Sequence, residues 1–150
     1  EKRKYSRMSA KIKCERDVRK WVTKEFGDQV LWVEHASGGS VGFPDCVLLM
    51  DQMCWPMELK YGNIKNGYWS GWLRSAQRMV GKQFLKHGVK MHILVGSEFE
   101  KVLWLCSFEK YFQAGEDDKE VKMEPVSCRL DVVSALSKLP AAKKLCDGLS

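Results

Sequence analysis

"GFPDCVLLMDQMCWPMELKYG", residues 42–62, holds two apolar runs with charged residues near both ends. Its two apolar runs lie on either side of a short polar break, which predicts two strands of a β-hairpin joined by a tight turn. Charged residues stand at both ends: Asp45 opens the first strand, and Glu58 and Lys60 close the second. Because alternate residues of a strand share a face, Glu58 and Lys60 point to the same side, and the turn brings Asp45 across from them.

These three charged side chains predict either a metal site or a structural ion pair on a hairpin. Two carboxylates and a main-chain carbonyl suit a hard divalent cation such as Mg²⁺. Such an ion activates water and neutralises charge on a phosphoryl group, and a neighbouring ammonium orients that water or stabilises the transition state. Glu58 and Lys60 stand among apolar residues, where burying charge without a metal or a partner is costly. The strand context therefore favours the metal site.

The composition is that of one globular domain. The chain has 150 residues, of which 45% are hydrophobic and 29% charged, so it is long enough to bury a single core. No apolar run approaches the roughly 20 residues that cross a bilayer, so we expect no membrane association. The chain begins at Glu1 rather than at a methionine, and we expect it to be a fragment of a longer protein.

The charge of +6 is unevenly placed. Nine of the first twenty residues are Lys or Arg, whereas residues 116–124 hold five acids. A basic end predicts a polyanionic partner, nucleic acid before membrane, although a solvated tail is the alternative. The six cysteines show no C-x-x-C spacing, and most stand in apolar surroundings, which indicates reduced core residues in an intracellular protein. We expect the protein to be located in the cytoplasm or nucleus, or to act inside a host cell if a virus or phage encodes it.

Apolar periodicity predicts an α/β fold with a mixed central sheet flanked by helices. We expect one domain over 1–150, with a core at about 9–106, a basic N-terminal segment at 1–8 and a helical C-terminal extension at about 107–150. Pro56 lies inside the third strand, which predicts an irregular or edge-like strand there. The expected elements are a helix at 9–26, strands at 29–36, 45–50 and 54–60, a loop at 61–72, a helix at 73–87, strands at 91–96 and 101–106, and short helices at 129–147.

Three motifs together resemble the PD-(D/E)XK nuclease superfamily, and within it the small VRR-NUC and Holliday-junction-resolvase-like nucleases. They are "GFPD" (42–45), "ELK" (58–60) and "SAQRMVGKQFLKHG" (75–88), which supplies Gln77, Leu85 and Gly88. The resemblance covers roughly residues 9–97. It implies a restriction-endonuclease-like fold with an α-β-β-β-α-β core, which matches the order of elements predicted from periodicity.

The resemblance also implies roles for individual residues. Asp45 and Glu58 would be metal ligands, with the backbone carbonyl of Leu59 as a third, and the metal would be Mg²⁺ or, in its place, Mn²⁺. Lys60 would be the catalytic lysine, and Gln77 would support the site or contact the nucleic acid.

Such nucleases often carry a further acid on the first helix, and Glu15 is the candidate here. On a helical wheel its side chain points toward the apolar side, where burying a carboxylate is costly unless it binds a metal or a partner. The alternative is an ion pair with Arg19, one turn further along the helix.

A basic helix and an aromatic loop are the candidate nucleic-acid surfaces. Four cations on the second helix stand four residues apart and form one ridge that suits a phosphate backbone; the alternative is a solvated helix face. The ridge consists of Arg74, Arg78, Lys82 and Lys86. The loop at 61–72 offers Lys65, Tyr68, Trp69 and Trp72. Its aromatic side chains stack on bases or form a hydrophobic latch or a dimer contact, and these readings stay open.

The sequence thus predicts a Mg²⁺-dependent endonuclease that hydrolyses phosphodiester bonds in DNA and selects a structure such as a junction, flap or nick. An RNA endonuclease is the nearest alternative. A nucleic-acid-binding or assembly component with a vestigial nuclease site is another, and so is a partner-binding module. A homodimer is left open, since symmetric cutting of a four-way junction needs two sites.

Overall fold

The computed structural model describes residues 11–34, 41–98, 102–114 and 120–137. Its helices are α1 (Glu15–Phe26), the 3₁₀-helix Gly27–Gln29, α2 (Ser75–Lys86), α3 (Phe108–Gln113) and α4 (Arg129–Ser137). Its strands are β1 (Val30–Trp32), β2 (Cys46–Met50), β3 (Met53–Tyr61), β4 (Ile64–Lys65), β5 (Tyr68–Trp69), β6 (His92–Gly96), β7 (Leu103–Ser107), β8 (Val121–Lys122) and β9 (Glu124–Val126).

Six of the strands form one mixed sheet in the order β1-β2-β3-β6-β7-β9. Neighbouring strands are antiparallel except β3 and β6, which are parallel. A parallel pair needs a long crossover connection, and α2 lies in this one. The predicted mixed α/β fold, with its α-β-β-β-α-β core, is confirmed.

The sheet separates two apolar clusters, one on each face. Leu94 of β6 belongs to the cluster that contains buried side chains of α1 and α4. Its neighbours Ile93 and Val95 belong to the other cluster, against which α2 and α3 pack. All five residues of β6 are buried, as the continuous apolar run predicts for a central strand.

The turn of the central hairpin explains its register. Asp51 and Gln52 have φ values of 51° and 63°, the left-handed conformation that two-residue hairpin turns of type I′ require.

Pro56 pairs with Val47 of β2, while pairing of β3 with β6 begins only at Met57. Among the described strands, Pro56 therefore has one neighbour, β2, which agrees with the edge-like position predicted for it.

The segment at 61–72 corrects the sequence prediction, because it is a structured hairpin rather than a loop. Strands β4 and β5 pair around Asn66 and Gly67, whose φ values are 53° and 78°. Strand β8 then pairs with β5 and completes a second, three-stranded sheet.

The C-terminal third also differs from the purely helical extension that was expected. Strand β9 is an edge strand of the six-stranded sheet, and α4 buries Val132 and Leu136 in the first apolar cluster. The core therefore continues past residue 106. Of the expected helices at 129–147, the part beyond residue 137 lies outside the described residues, as do the basic segment at 1–8 and the acids at 116–118.

The cysteines are less uniformly buried than expected. Cys46 and Cys106 are buried, but Cys14 and Cys54 are exposed, which corrects the expectation that most of them are core residues. None of the cysteines in the described ranges forms a disulfide. Over the same ranges, no helix combines the length and the apolar character needed to cross a membrane.

His92 makes stability depend on pH. Its side chain is 3% exposed at the start of β6, its ring lies edge-on to Trp55, and burial lowers its pKa to about 4. An unfolded histidine has a pKa of about 6.5. The unfolded state therefore takes up the proton first as pH falls. The stability contributed by neutral His92 is complete above about pH 6.5 and is lost as pH falls toward 4.

We expect this one group to lower the free energy of unfolding by about 2 kcal/mol between pH 7 and pH 5. Urea denaturation of the wild type and of His92→Phe at both pH values measures the contribution. An identical change in the two proteins would show that His92 does not titrate as proposed.

Candidate active site

The acidic end of the central hairpin lies where α1 and α2 both begin. Asp45 precedes β2, and its position in the antiparallel register is opposite Glu58 of β3. The two side chains are nearly inaccessible, with Asp45 7% and Glu58 3% exposed. The predicted approach of Asp45 to the end of β3 is thus present in the structure.

Asp45 is tied to the backbone of β3. The backbone N–H of Leu59 donates a hydrogen bond of 2.8 Å to Asp45 Oδ2. This contact holds the carboxylate beside the peptide groups that connect Glu58, Leu59 and Lys60.

The surroundings of Glu58 disfavour its ionised form. The pKa of Glu58 is raised to about 9, first by burial, then by the negative charge of Asp45 and by a hydrogen bond to the Asp45 side chain. The Lys60 ammonium opposes this shift but does not reverse it. Without a cation, burial and the neighbouring charge of Asp45 therefore disfavour the ionised form of Glu58.

Gln77 connects the site to α2. Its Nε2 donates to Glu58 Oε1 at 2.9 Å, and its Oε1 accepts from the Arg74 backbone N–H at 2.9 Å and from Lys60 Nζ at 3.3 Å. One amide thus caps the first turn of α2 and orients two ionisable side chains of β3. Lys60 Nζ lies 3.9 Å from Glu58 Oε1, and the Lys60 side chain keeps 21% exposure.

Glu15 lies at the edge of this group. It is exposed at the start of α1, yet its pKa is raised, first by partial burial and then by the negative charge of Asp45, while Lys60 acts in the opposite direction. The alternative ion pair with Arg19 is not formed; the Arg19 guanidinium instead lies 4.6 Å from the centre of the Trp32 ring. The structure thus brings Glu15 within electrostatic reach of the pair.

The donor set fits a hard divalent cation. Within the described ranges no three His, Cys, Asp or Glu side chains form a group that could hold a metal ion, so Glu15 does not complete one. Asp45 and Glu58 offer carboxylate oxygens, and the Leu59 carbonyl offers a third oxygen of the type that Mg²⁺ accepts while it retains several waters. Burial disfavours two ionised carboxylates side by side, and a bound cation would neutralise their charge.

Gly42 allows the chain before Asp45 to touch α2. Its φ is +85°, and a Cβ there would lie 2.4 Å from the backbone oxygen of Ala76. Gly88 has a similar φ of +77°, but a Cβ there would meet nothing within 4 Å. We expect Gly42→Ala to lower the free energy of unfolding by about 1–3 kcal/mol more than Gly88→Ala does.

Urea denaturation of both glycine variants measures this difference. Gly88→Ala is the matched control, because it includes the cost of the left-handed backbone without the close approach. Equal losses in the two variants would contradict the account of Gly42.

The predicted basic ridge on α2 is mostly accessible. Arg74, Lys82 and Lys86 are exposed. Arg78 is half-buried, because its guanidinium donates a 2.9 Å hydrogen bond to the Leu73 carbonyl. Lys82 Nζ lies 5.2 Å from the centre of the Phe112 ring.

Some aromatic side chains of 61–72 are buried and others are exposed. The predicted nucleic-acid contact at Trp69 is wrong, because that side chain is buried. Trp69 is 2% exposed and packs against Tyr111, so no base can stack on it. Lys65 is exposed, and Tyr68 on the opposite face of β5 is 39% exposed. Trp72, just before α2, is 71% exposed. The accessible aromatic residues of the 61–72 segment are therefore Tyr68 and Trp72.

No protein-family model matches the sequence, and no curated protein matches it. Among solved structures, the chain is similar to Hjc, a Holliday junction resolvase from the archaeal hyperthermophile Archaeoglobus fulgidus. The two share 16% sequence identity at a TM-score of 0.45, over 75% of this chain and 86% of that chain. A similarity this low carries no argument about what this chain does.

Proposed function

We propose that the protein is a divalent-metal-dependent endonuclease that hydrolyses phosphodiester bonds in DNA and selects branched or interrupted structures. The observation that carries the proposal is the buried Asp45–Glu58 pair, which lies beside the accessible Lys60. A structural ion pair on a hairpin would not need two buried acids in contact. A metal-dependent phosphodiesterase uses both an oxygen-rich cation site and a nearby positive charge.

In this proposal Asp45, Glu58 and the Leu59 carbonyl hold Mg²⁺ or Mn²⁺. The bound ion supplies the neutralisation of phosphate charge and a more acidic water. Lys60 stands at the accessible edge of the pair, where its ammonium stabilises negative charge on the phosphate. Gln77 is the positioning residue, because its amide restricts both Lys60 and Glu58.

Selection of structure over sequence is supported by accessible groups on α2 and on the 61–72 segment. The exposed part of the α2 ridge, Lys65, Tyr68 and Trp72 offer charge and aromatic surface. Charges of this kind bind the phosphate backbone without reading bases, and aromatic side chains stack on unpaired bases. These groups favour a site that recognises a junction, flap or nick.

Trp72→Ala tests the stacking role. We expect it to weaken binding of a DNA flap by about ten- to a hundredfold, and of an intact linear duplex by less, because only the flap offers unpaired bases. Little stability should be lost, since the side chain is largely exposed. Leu130→Ala is the control, because Leu130 is also 71% exposed but lies on α4. Equal losses for flap and duplex in a fluorescence anisotropy titration would exclude base stacking by Trp72.

A substrate panel tests the proposed function. The protein is incubated with four-way junction, flap, nicked, linear and single-stranded DNA, and with RNA, in Mg²⁺ or Mn²⁺. We expect internal cuts in branched or nicked DNA that EDTA abolishes. Faster cleavage of RNA would favour the RNA endonuclease, and tight binding without cleavage of any substrate would favour the binding component. Light scattering on the same samples gives the number of chains, and symmetric cutting of a junction would require two.

A further inference from the structure

A second basic surface lies on α1, apart from the α2 ridge. Arg16, Lys20 and Lys24 stand four residues apart, and Arg19 lies three residues after Arg16, so these cations follow one side of the helix. Together with neighbouring side chains and a residue of β1 they line an open groove of about 560 Å³. The groove residues are Arg16, Arg19, Lys20, Thr23, Lys24 and Trp32.

The positive charge of this α1 groove is not neutralised within the protein as described. None of its four cations forms an ion pair with any acid in the described ranges. Among the described residues, no acidic side chain lines it. Its aromatic member, Trp32, holds the Arg19 guanidinium over its ring, which fixes one cation in place. An anionic ligand would thus find a concentrated and partly ordered positive surface.

The groove begins beside the active site. Trp32 pairs with Cys46, the residue that follows Asp45, and the backbone N–H of Val33 donates to the Asp45 carbonyl at 2.9 Å. At the other side, Arg16 directly follows Glu15 at the start of α1.

The α1 groove and the α2 ridge lie on opposite faces of the sheet. Buried side chains of α1 join the cluster that contains Leu94, whereas α2 packs against the cluster that contains Ile93 and Val95. Both helices begin at the active site, so each basic surface runs away from it on a different face. A short duplex is stiff, and bending it around a sheet edge costs several kcal/mol. A branched molecule has two arms and needs no such bend.

We infer that the α1 groove binds the phosphate backbone of a second arm of a branched DNA whose first arm lies on the α2 ridge. This inference rests on the proposed function, because it names how the same site selects its substrate. Each contact between a lysine and a phosphate adds about one to the slope of log affinity against log salt concentration. The groove should therefore contribute a salt-dependent part of junction binding that linear DNA lacks.

The test uses the double variant Lys20→Glu/Lys24→Glu and fluorescence anisotropy with a four-way junction and a linear duplex of equal arm length. We expect the variant to weaken junction binding about tenfold more than duplex binding and to lower the junction salt slope by about two. The control Lys110→Glu/Lys122→Glu makes the same change of four charges at exposed positions outside the groove and the α2 ridge.

Each outcome decides one point. Equal losses for junction and duplex, no loss for either, or an equal effect of the control variant would overturn the inference. Cleavage assays on the same proteins separate it from the proposed function. Junction binding that needs Lys20 and Lys24 but leads to no cleavage would keep the groove and refute the nuclease. Metal-dependent cleavage with the same junction preference in the wild type and in Lys20→Glu/Lys24→Glu would support the nuclease and refute the groove.

Discussion

Replacing Lys60 with methionine should slow phosphodiester cleavage by about a hundred- to a thousandfold, while affinity for the same DNA changes by only a few fold. Methionine keeps most of the side chain's length but removes the ammonium. In the structure that ammonium is held by Gln77 at 3.3 Å, beside the acidic pair. Its charge acts on the phosphate as negative charge develops, so its loss should appear in the rate of the chemical step.

Single-turnover cleavage at saturating enzyme measures this effect, and anisotropy measures binding. Lys110→Met is the matched control, because Lys110 is an exposed lysine on α3, away from the pair. Cleavage by Lys60→Met at the wild-type rate would remove Lys60 from the proposed site.

Replacing Glu58 with glutamine should stabilise the metal-free protein at pH 8 and abolish cleavage. The folded pKa of about 9 lies above the ordinary value of 4.5. The contribution of the protonated carboxyl to stability is therefore complete below that ordinary value and is lost as pH rises toward 9. Glutamine has no proton to lose, so at pH 8 the variant should exceed the wild type by on the order of a few kcal/mol.

The same variant should lose the response to metal. A cation that replaces the proton stabilises the wild type, so Mg²⁺ or Mn²⁺ should raise its melting temperature at pH 8. Glu58→Gln lacks the second carboxylate, and its melting temperature should hardly change. A variant that is less stable than the metal-free wild type at pH 8, or that responds equally to Mg²⁺, would contradict the shared proton.

The sequence predicted the central hairpin and the acidic pair because both depend on local rules. Alternation along β3 places Glu58 and Lys60 on one face, and the turn at Asp51 and Gln52 then sets Asp45 opposite Glu58. The hydrogen bonds of Gln77 were less predictable. The bond from the Arg74 backbone N–H to Gln77 depends on the residue at which α2 begins, and sequence patterns do not fix that residue. The roles of these residues in catalysis stay predictions.

The second sheet was missed because its partners are distant in sequence. Strand β8 pairs with β5 from beyond α2, β6, β7 and α3, and each of the three strands is only two residues long. Such short strands show no periodicity. One local signal was present: Asn66–Gly67 is the dipeptide that favours a type I′ hairpin turn, and it implies that Tyr68 and Trp69 alternate between surface and core. That signal would have removed Trp69 from the candidate nucleic-acid contacts.

The α1 groove could not be predicted from sequence patterns either. Its cations were visible as a basic segment, but periodicity does not reveal that Trp32 of β1 completes the groove or that α1 and α2 cover opposite faces. That arrangement follows from the strand order of the sheet.

The most direct test of the central claim is the cleavage of a labelled four-way junction by wild type and by Asp45→Asn, each with Mg²⁺ and with EDTA. The two proteins are compared after circular dichroism has shown equal folding. We predict that the wild type cuts only with Mg²⁺ and that Asp45→Asn cuts in neither condition, although it still binds the junction. Cutting by Asp45→Asn at the wild-type rate, or cutting by the wild type that is unchanged in EDTA, would contradict a metal-dependent nuclease centred on Asp45 and Glu58.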